Sequence, residues 1–137
     1  MKTKYDLLEM RDVWIDAYMN GDIDQLNFVE SSHFFVKRRD RTVTKLQQIS
    51  FIRQRLSENT WPDVGLRVHD EITEVERNRL WASISGTGSM RRGGRTLIRF
   101  DFLELWLING GRWQIAALCY DEKEREGNEM ADRRGAA

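Results

Sequence analysis

The sequence predicts one α+β domain, with N-terminal helices packed in the concave face of a strongly curved antiparallel sheet. In the first part of the chain, apolar residues recur every three to four positions, which is typical of amphipathic helices. In the second part they alternate, as they do on strands. Short turns separate the strand segments, and such spacing favours an antiparallel meander. We expect the domain to cover residues 1–121 and a charged, flexible tail to cover residues 122–137.

The first helix is predicted over residues 5–19. Gly21 is suited to the left-handed position that ends a helix, and the Asp22 carboxylate can cap a second short helix over 23–27. The apolar stripe of the first helix consists of Leu7, Leu8, Trp14, Ala17 and Tyr18.

A first strand and a third helix follow. Residues 28–38 contain an HFFV run that predicts the strand. Thr42 or Thr44 can cap the third helix, which runs to about Glu58. Its buried face is expected to contain Leu46, Ile49, Ile52 or Phe51, and Leu56.

Four consecutive strands account for the rest of the domain. Their predicted ranges are 64–75, 80–90, 96–108 and 112–120. The turns between them contain Arg77-Asn78, Arg92-Gly93-Gly94 and Asn109-Gly110-Gly111, of which the last is the strongest hairpin signal. Because the connections are short, neighbouring strands should pair in antiparallel fashion.

The longest strand, 96–108, is apolar on both faces. A sheet with one face in water would alternate cleanly, so something must cover each face. The helices can cover only one. We therefore expect a second subunit to cover the other face through Leu103, Leu105 and Leu107.

Two glycines, Gly86 and Gly88, share one face of the preceding strand. They can relieve backbone crowding only, or they can leave room for a bend and a pocket. Both interpretations stay open at the level of the sequence.

Composition limits the classes of partner. Lys and Arg number 22, as do Asp and Glu, so the basic surplus typical of nucleic-acid binders is missing. No apolar run is long enough to cross a membrane, and no signal-peptide pattern begins the chain. Cys119 is the only cysteine, which excludes an intrachain disulfide, and alternation predicts that it is buried and inert. These features favour a cytoplasmic protein.

Two motifs carry a family resemblance. Trp14 to Leu26 contains WxxxYMNGDIDxL, and Leu103 to Ile115 contains LELWxxxxGRWQI. They resemble the first helix with its N-G-D turn and the last hairpin of the nuclear transport factor two-like superfamily. That superfamily has a cystatin-like cone fold and includes ketosteroid isomerases and SnoaL-type cyclases. The resemblance covers roughly residues 5–121, and the motifs are more specific for the fold than for any activity.

The resemblance implies a pocket between the helices and the even-numbered face of the sheet, with the odd face as the dimer surface. The last strand would then contribute Ala116, Leu118 and Tyr120 to the concave face. In ketosteroid isomerases a first-helix tyrosine and two acids act on the ligand. The tyrosine position is Trp14 here, the base position falls near Arg38, and only the second acid has a counterpart, Glu104.

Glu104 is therefore the candidate acid or base, because it lies between Phe102 and Trp106 on an apolar face, where burial favours the neutral carboxyl. A structural pairing with an arginine or a helix end is the alternative. Arg38 is expected at the pocket mouth. The predicted ligand-binding residues are Trp14, Tyr18, Arg38, Ile84, Phe100, Phe102, Trp106, Leu118 and Tyr120.

No metal-ligand spacing, phosphate loop or dinucleotide motif is present, so neither cofactor nor metal is expected. His33 and His69 are interpreted as rim histidines, and the arginines around residues 38–41 and 91–99 as solvated rims. The sequence predicts a domain that binds an apolar or cyclic small molecule, with a cofactor-independent isomerase, dehydratase or cyclase as its enzymatic form. The alternatives are a non-catalytic dimeric interaction module and a small subunit of a larger enzyme.

Overall fold

The structure is a computed structural model, and it describes residues 6–123. The helices in this range are α1 (Leu7–Asn20), α2 (Ile23–Val29) and α3 (Lys45–Ser57). The strands are β1 (Glu30–Arg38), β2 (Arg41–Thr44), β3 (Leu66–Arg77), β4 (Trp81–Arg92), β5 (Arg95–Asn109) and β6 (Arg112–Lys123). The predicted α+β class is confirmed.

The strands form one sheet in the order β2-β1-β6-β5-β4-β3. The predicted antiparallel meander of the last four strands is confirmed. The sheet as a whole is mostly rather than entirely antiparallel, because β1 pairs with β6 in parallel fashion. This happens because α3 carries the chain to the far edge of the sheet, and the four-strand meander then brings β6 back beside β1.

The predicted caps are confirmed. Gly21 ends α1 in the left-handed region, with φ of 69°. Asp22 caps α2 by accepting a hydrogen bond from the Gln25 amide at 3.2 Å. Thr44 and Gln47 form a reciprocal capping box at the start of α3.

Two features of the segment between residues 38 and 57 differ from the prediction. Residues 41–44 form the short strand β2, which pairs with β1, so α3 begins only after Thr44. The buried face of α3 consists of Gln48, Ile49 and Ile52, whereas Leu46 is 76% exposed. Leu46 lies in the first turn of α3 and about 120° around the helix from Ile52, so it falls outside the buried face.

A bulge in β6 corrects the predicted inward face of that strand. Trp106 pairs with Ile115 but Leu105 pairs with Ala117, so Ala116 is the extra residue. Ile115 therefore points into the core ahead of the bulge, as Leu118 points inward after it, and Ala116 leaves the concave face.

The two glycines of β4 allow neighbouring atoms to lie very close to the strand. A Cβ at Gly86 would overlap the backbone carbonyl oxygen of Glu71, next to a register shift in β3. A Cβ at Gly88 would lie 2.5 Å from the ring of Phe100. Gly86 thus relieves backbone crowding, and the space beside Gly88 is filled by the Phe100 ring.

The convex face carries a row of exposed apolar side chains. Leu103 is 49% exposed, and Leu105 and Leu107 are each 38% exposed. Trp81 pairs with Leu107 across the strands and is also 38% exposed. Cys119 pairs with Leu103 and is half-buried, so its predicted full burial is wrong, because the convex face is uncovered in the single chain.

β6 continues to Lys123, past the predicted domain end at residue 121. The predicted tail beyond it, residues 124–137, lies outside the described residues. None of the helices within residues 6–123 has the length and apolarity that crossing a membrane requires.

Candidate functional site

A cavity of about 630 Å³ lies between the helices and the concave face of the sheet. Its volume falls in the range of about 300–1,000 Å³ that small-molecule sites occupy. Most of its wall is apolar, including Ile15, Val36, Val68, Met90 and Ile98.

Most of the residues predicted for the site lie in the cavity wall. They are Trp14, Tyr18, Phe100, Phe102, Glu104, Leu118 and Tyr120. The structure places three others outside it. Ile84 and Trp106 are fully buried in the core where α1 packs directly on the sheet, and Trp106 meets the Trp14 ring edge-on. Arg38, expected at the mouth, is not itself part of the wall but forms an ion pair at 2.9 Å with the wall residue Glu122.

A cluster of three charged side chains interrupts the apolar wall. Arg11 Nε donates to both carboxylate oxygens of Glu104, at 2.9 and 3.0 Å. Arg11 Nη2 donates to Asp70 Oδ2 at 2.8 Å. Trp106 Nε1 adds a hydrogen bond of 2.9 Å to Glu104 Oε1. The arginine therefore joins one acid of β5 to one acid of β3.

Burial separates the two acids of this cluster. Glu104 is 1% exposed and both of its oxygens accept N–H donors. The Asp70 side chain is 24% exposed and lies in the cavity wall. Burial alone would lower the pKa of Arg11, but hydrogen bonds and charge attraction from Glu104 and Asp70 raise it overall, so the guanidinium stays charged. Asp70 is thus the more accessible of the two acids for a molecule in the cavity.

The sequence interpretation missed Arg11 and Asp70, although the chain holds a signal for each. Arg11 falls on the apolar stripe of α1, between Leu7 and Trp14 in helical spacing. Asp70 follows Leu66 and Val68 on the inward face of β3. A single charge on an apolar face must find a partner when that face is buried, so opposite charges on facing elements predict a pair.

Trp14 presents only its ring to the cavity. Its indole N–H donates to Glu30 Oε2 at 3.0 Å, behind the wall. The donor that the resemblance places at this position is thus already used within the protein. Glu30 is 1% exposed, and burial raises its pKa to about 7 despite the opposing effects of the Trp14 hydrogen bond, the neighbouring Gln48 amide and the Lys45 charge.

Two tyrosines border the cavity. Burial raises the pKa of Tyr18, and the neighbouring phenol of Tyr120 adds to the shift. Tyr18 therefore keeps its proton and can donate a hydrogen bond. Trp61 Nε1 donates to the Tyr18 carbonyl at 2.9 Å and holds this end of α1 in place.

The remaining polar candidates lie away from the cluster. His33 and His69 are both exposed. Among residues 6–123, His, Cys, Asp and Glu side chains form no group of three that could hold a metal ion. Of the arginines near the hairpins, Arg92 is paired with Asp63, and Arg41 contributes to the cavity wall.

The arrangement of the helices and the six-stranded sheet matches solved structures over most of the chain. An NTF2-like protein from Cytophaga hutchinsonii matches with a TM-score of 0.65 at 16% identity, over 85% of this chain and 95% of that one. A protein with a cystatin-like fold from Nostoc punctiforme matches with a TM-score of 0.70 at 10% identity, over 90% of this chain and 96% of that one. This chain has the NTF2-like fold.

A ketosteroid isomerase-like protein from Erwinia carotovora atroseptica shares this NTF2-like fold, with a TM-score of 0.63 at 15% identity over 87% of this chain and 95% of that one. No protein-family model and no curated protein matches the sequence. At these identities the likeness concerns the fold, and activity has to be argued from the site.

Proposed function

We propose that this chain is a SnoaL-like domain that binds a flat or cyclic, mostly apolar small molecule carrying a hydrogen-bond donor. The observation that supports this most directly is the Asp70–Arg11–Glu104 cluster in the wall of an otherwise apolar cavity. Apolar walls favour an apolar body by removing it from water. One partly exposed carboxylate then selects a ligand whose hydroxyl or N–H can reach it.

The cluster also defines the chemistry that the cavity could host. Arg11 holds one oxygen of Asp70, so the carboxylate is oriented rather than free to rotate. An oriented carboxylate can take a proton from a ligand O–H or an acidic C–H and return it to another position. The proposed enzymatic form is thus a cofactor-independent proton transfer, as in isomerisation, dehydration or cyclisation.

Glu104 keeps its place as a candidate acid or base, but the geometry favours Asp70 for contact with a ligand. A proton transfer at Glu104 would have to displace an N–H donor from Arg11 or Trp106. We propose that Glu104 acts by holding Arg11, and Arg11 by holding Asp70. In this proposal Tyr18 and Tyr120 border the ligand, and Phe100, Phe102 and Leu118 contact its apolar body.

We further propose a homodimer through the convex face, with a cytoplasmic location as the sequence suggests. Leu103, Leu105 and Leu107 form a continuous exposed row, and Trp81 and Phe35 (39% exposed) extend it on either side. Such a patch supports association, since monomers rarely expose contiguous apolar surface. A non-catalytic dimeric module is the second candidate function, and it differs from the first in leaving the cavity unused.

The test uses two probes of nearly the same shape. 2-Naphthol has two fused apolar rings and one hydroxyl, and naphthalene lacks the hydroxyl. Titration followed by NMR of the purified protein should show saturable binding of 2-naphthol, with naphthalene weaker by roughly three- to tenfold for one lost hydrogen bond.

Ile98→Trp fills the cavity and should abolish binding of both probes. Val64→Trp is the matched control, because it adds the same ring at a side chain that is 92% exposed, and it should bind as the wild type does. Equal binding by the two variants would overturn the proposed ligand site. Failure of both probes to bind the wild type saturably would overturn it as well.

A further inference from the structure

Glu30 is a buried acid that the proposed site does not use. It stands at the junction of α2 and β1 with 1% of its surface exposed. Trp14 of α1 donates its indole N–H to Glu30 Oε2 at 3.0 Å, and Gln48 of α3 is another polar neighbour of this carboxyl. Trp14 and Gln48 both line the cavity. Glu30 therefore lies directly behind two residues of the cavity wall.

Glu30 and Gln48 each have a buried side-chain oxygen without a hydrogen-bond donor in the described part of the chain. Within the described residues, Glu30 Oε1 and Gln48 Oε1 are both buried and both lack a hydrogen-bond partner. Gln48 is 8% exposed, so its oxygen cannot use bulk water instead. A buried acceptor without a donor is costly, and Gln48 is a direct neighbour of Glu30, so one proton shared by the two side chains would satisfy both oxygens.

A neutral Glu30 supplies that proton. Its O–H can donate to Gln48 Oε1 while Oε2 keeps the Trp14 hydrogen bond, and both buried oxygens are then satisfied. An ionised Glu30 can only accept, so the Gln48 amide must turn and donate from Nε2. When Glu30 is neutral, the Gln48 amide therefore presents its N–H donor to the cavity. When Glu30 is ionised, the amide presents its carbonyl acceptor instead.

We propose that Glu30 is a positioning residue whose proton sets the orientation of the Gln48 amide, and that Gln48 thereby presents a donor to the ligand when Glu30 is neutral and an acceptor when it is ionised. The effect on ligand choice rests on the proposed small-molecule site, whereas the proton on Glu30 does not.

The surroundings of Glu30 keep its carboxyl neutral up to a higher pH than usual. Burial raises the pKa of Glu30 to about 7. Among the described residues, Lys45 of α3 is the charged group that acts on the carboxyl, and its Nζ lies 3.1 Å from the Glu30 backbone carbonyl. α1 faces Glu30 with the neutral Trp14, and β6 pairs with it through Ile115. One positive charge lowers the pKa, but less than burial raises it.

The first test needs no ligand. Protein labelled with ¹⁵N at tryptophan indoles is titrated by NMR from pH 5 to pH 9. The Trp14 indole signal should move in a single step in the wild type, because the group that accepts its hydrogen bond changes charge. Glu30→Gln imitates the neutral acid, since its amide can accept from Trp14 and donate to Gln48, and it should hold this signal constant.

Glu122→Gln is the control for this titration, because Glu122 is another carboxyl of the cavity wall but pairs with Arg38. It should titrate as the wild type does. A wild-type indole signal that stays constant over the whole range, or an identical titration in Glu30→Gln, would overturn the role of Glu30.

The second test compares 2-methoxynaphthalene, which can only accept a hydrogen bond, with naphthalene. The preference for the methoxy probe should fall roughly three- to tenfold from pH 5 to pH 9 in the wild type. It should stay at its pH 5 level in Glu30→Gln and should be absent at both pH values in Gln48→Leu. A preference independent of pH in the wild type would overturn the Gln48 switch. Failure of all naphthalene probes to bind would instead overturn the ligand site, and the indole titration would still decide the protonation of Glu30.

Discussion

Arg11 and Glu104 form a buried fork in which one guanidinium Nε donates to both carboxylate oxygens, at 2.9 and 3.0 Å. Arg11 is 5% exposed and Glu104 1% exposed, so the pair joins α1 to β5 out of contact with solvent. The same guanidinium reaches on to Asp70 at the cavity. Stability of the helix–sheet contact and orientation of the candidate site therefore depend on one side chain.

Arg11→Met should lower the free energy of unfolding by about 3–5 kcal/mol, because it leaves Glu104 as an uncompensated buried charge. The double variant Arg11→Met/Glu104→Gln should recover part of this loss, since no charge is then left alone. Lys123→Met is the control: it breaks an ion pair whose side chains are 50% and 56% exposed, and should cost less than about 1 kcal/mol. Urea unfolding measures all three. Equal losses in Arg11→Met and Lys123→Met would contradict the buried fork.

Asp70→Asn should weaken 2-naphthol binding by about tenfold with little change in unfolding. Arg11 will hold the amide oxygen, so the amide nitrogen faces the cavity, where it cannot accept a hydrogen bond from the hydroxyl. Glu104→Gln should reduce both binding and stability, because it loosens Arg11. Calorimetric titration checks the affinities, with Asp101→Asn as an exposed carboxyl outside the cavity wall that should bind normally. Normal binding by Asp70→Asn would remove Asp70 from the site.

Gly86→Ala should destabilise the protein more than Gly88→Ala. A Cβ at residue 86 overlaps the backbone of β3, which can move only by disturbing the sheet, and we expect a loss of about 3 kcal/mol. A Cβ at residue 88 meets the Phe100 ring, which can swing toward the cavity, for a loss of about 1 kcal/mol. Thermal and urea unfolding of both variants give the order of their stability losses. The reverse order would contradict the close approach of β3 to Gly86.

The stability conferred by Glu30 should depend on pH in one direction. Its pKa rises from 4.5 to about 7 on folding, so the folded protein holds a proton that the unfolded chain has lost between these values. This contribution is fully present below about pH 4.5 and is lost as the pH rises through about 7. Glu30→Gln should thus match the wild type at about pH 4 and exceed its stability at pH 8 by up to about 3 kcal/mol. A stability difference that is the same at both values would contradict a raised pKa.

Leu105→Arg should convert a dimer into a monomer, because it places a charge at the centre of the convex apolar row. Light scattering should give about twice the chain mass of 16.2 kDa for the wild type and the chain mass itself for the variant. Leu46→Arg makes the same change at a leucine of α3 that is 76% exposed, and should leave the mass unaltered. A wild-type monomer at micromolar concentration would contradict the dimer proposal.

Much of the fold follows from local signals. Gly21, Asp22 and Thr44 could be assigned from the sequence, because a helix end depends on the conformation and hydrogen bonding of the few residues around it. The four-strand meander followed from alternation and from turn residues for the same reason.

The assignments that failed depend on contacts between distant segments. The inward face of β6 changes at Ala116, because β5 and β6 slip by one residue there, and the chemistry of residue 116 gives no sign of it. The parallel pairing of β1 with β6 likewise depends on the path of α3 across the sheet.

By itself, the sequence determined the class of fold, the helix caps, the strands and the apolar character of both sheet faces, because these rest on periodicity and on local backbone preferences. Only the tertiary structure decided that Glu104 meets Arg11, that Arg11 turns Asp70 toward the cavity, and that Glu30 lies behind Trp14 and Gln48. Charge pairing acts through space, and the partners of Arg11 stand 59 and 93 positions away along the chain. The sequence can indicate that a charged residue will be buried. Its partner is identified only from the packing of the helices and strands.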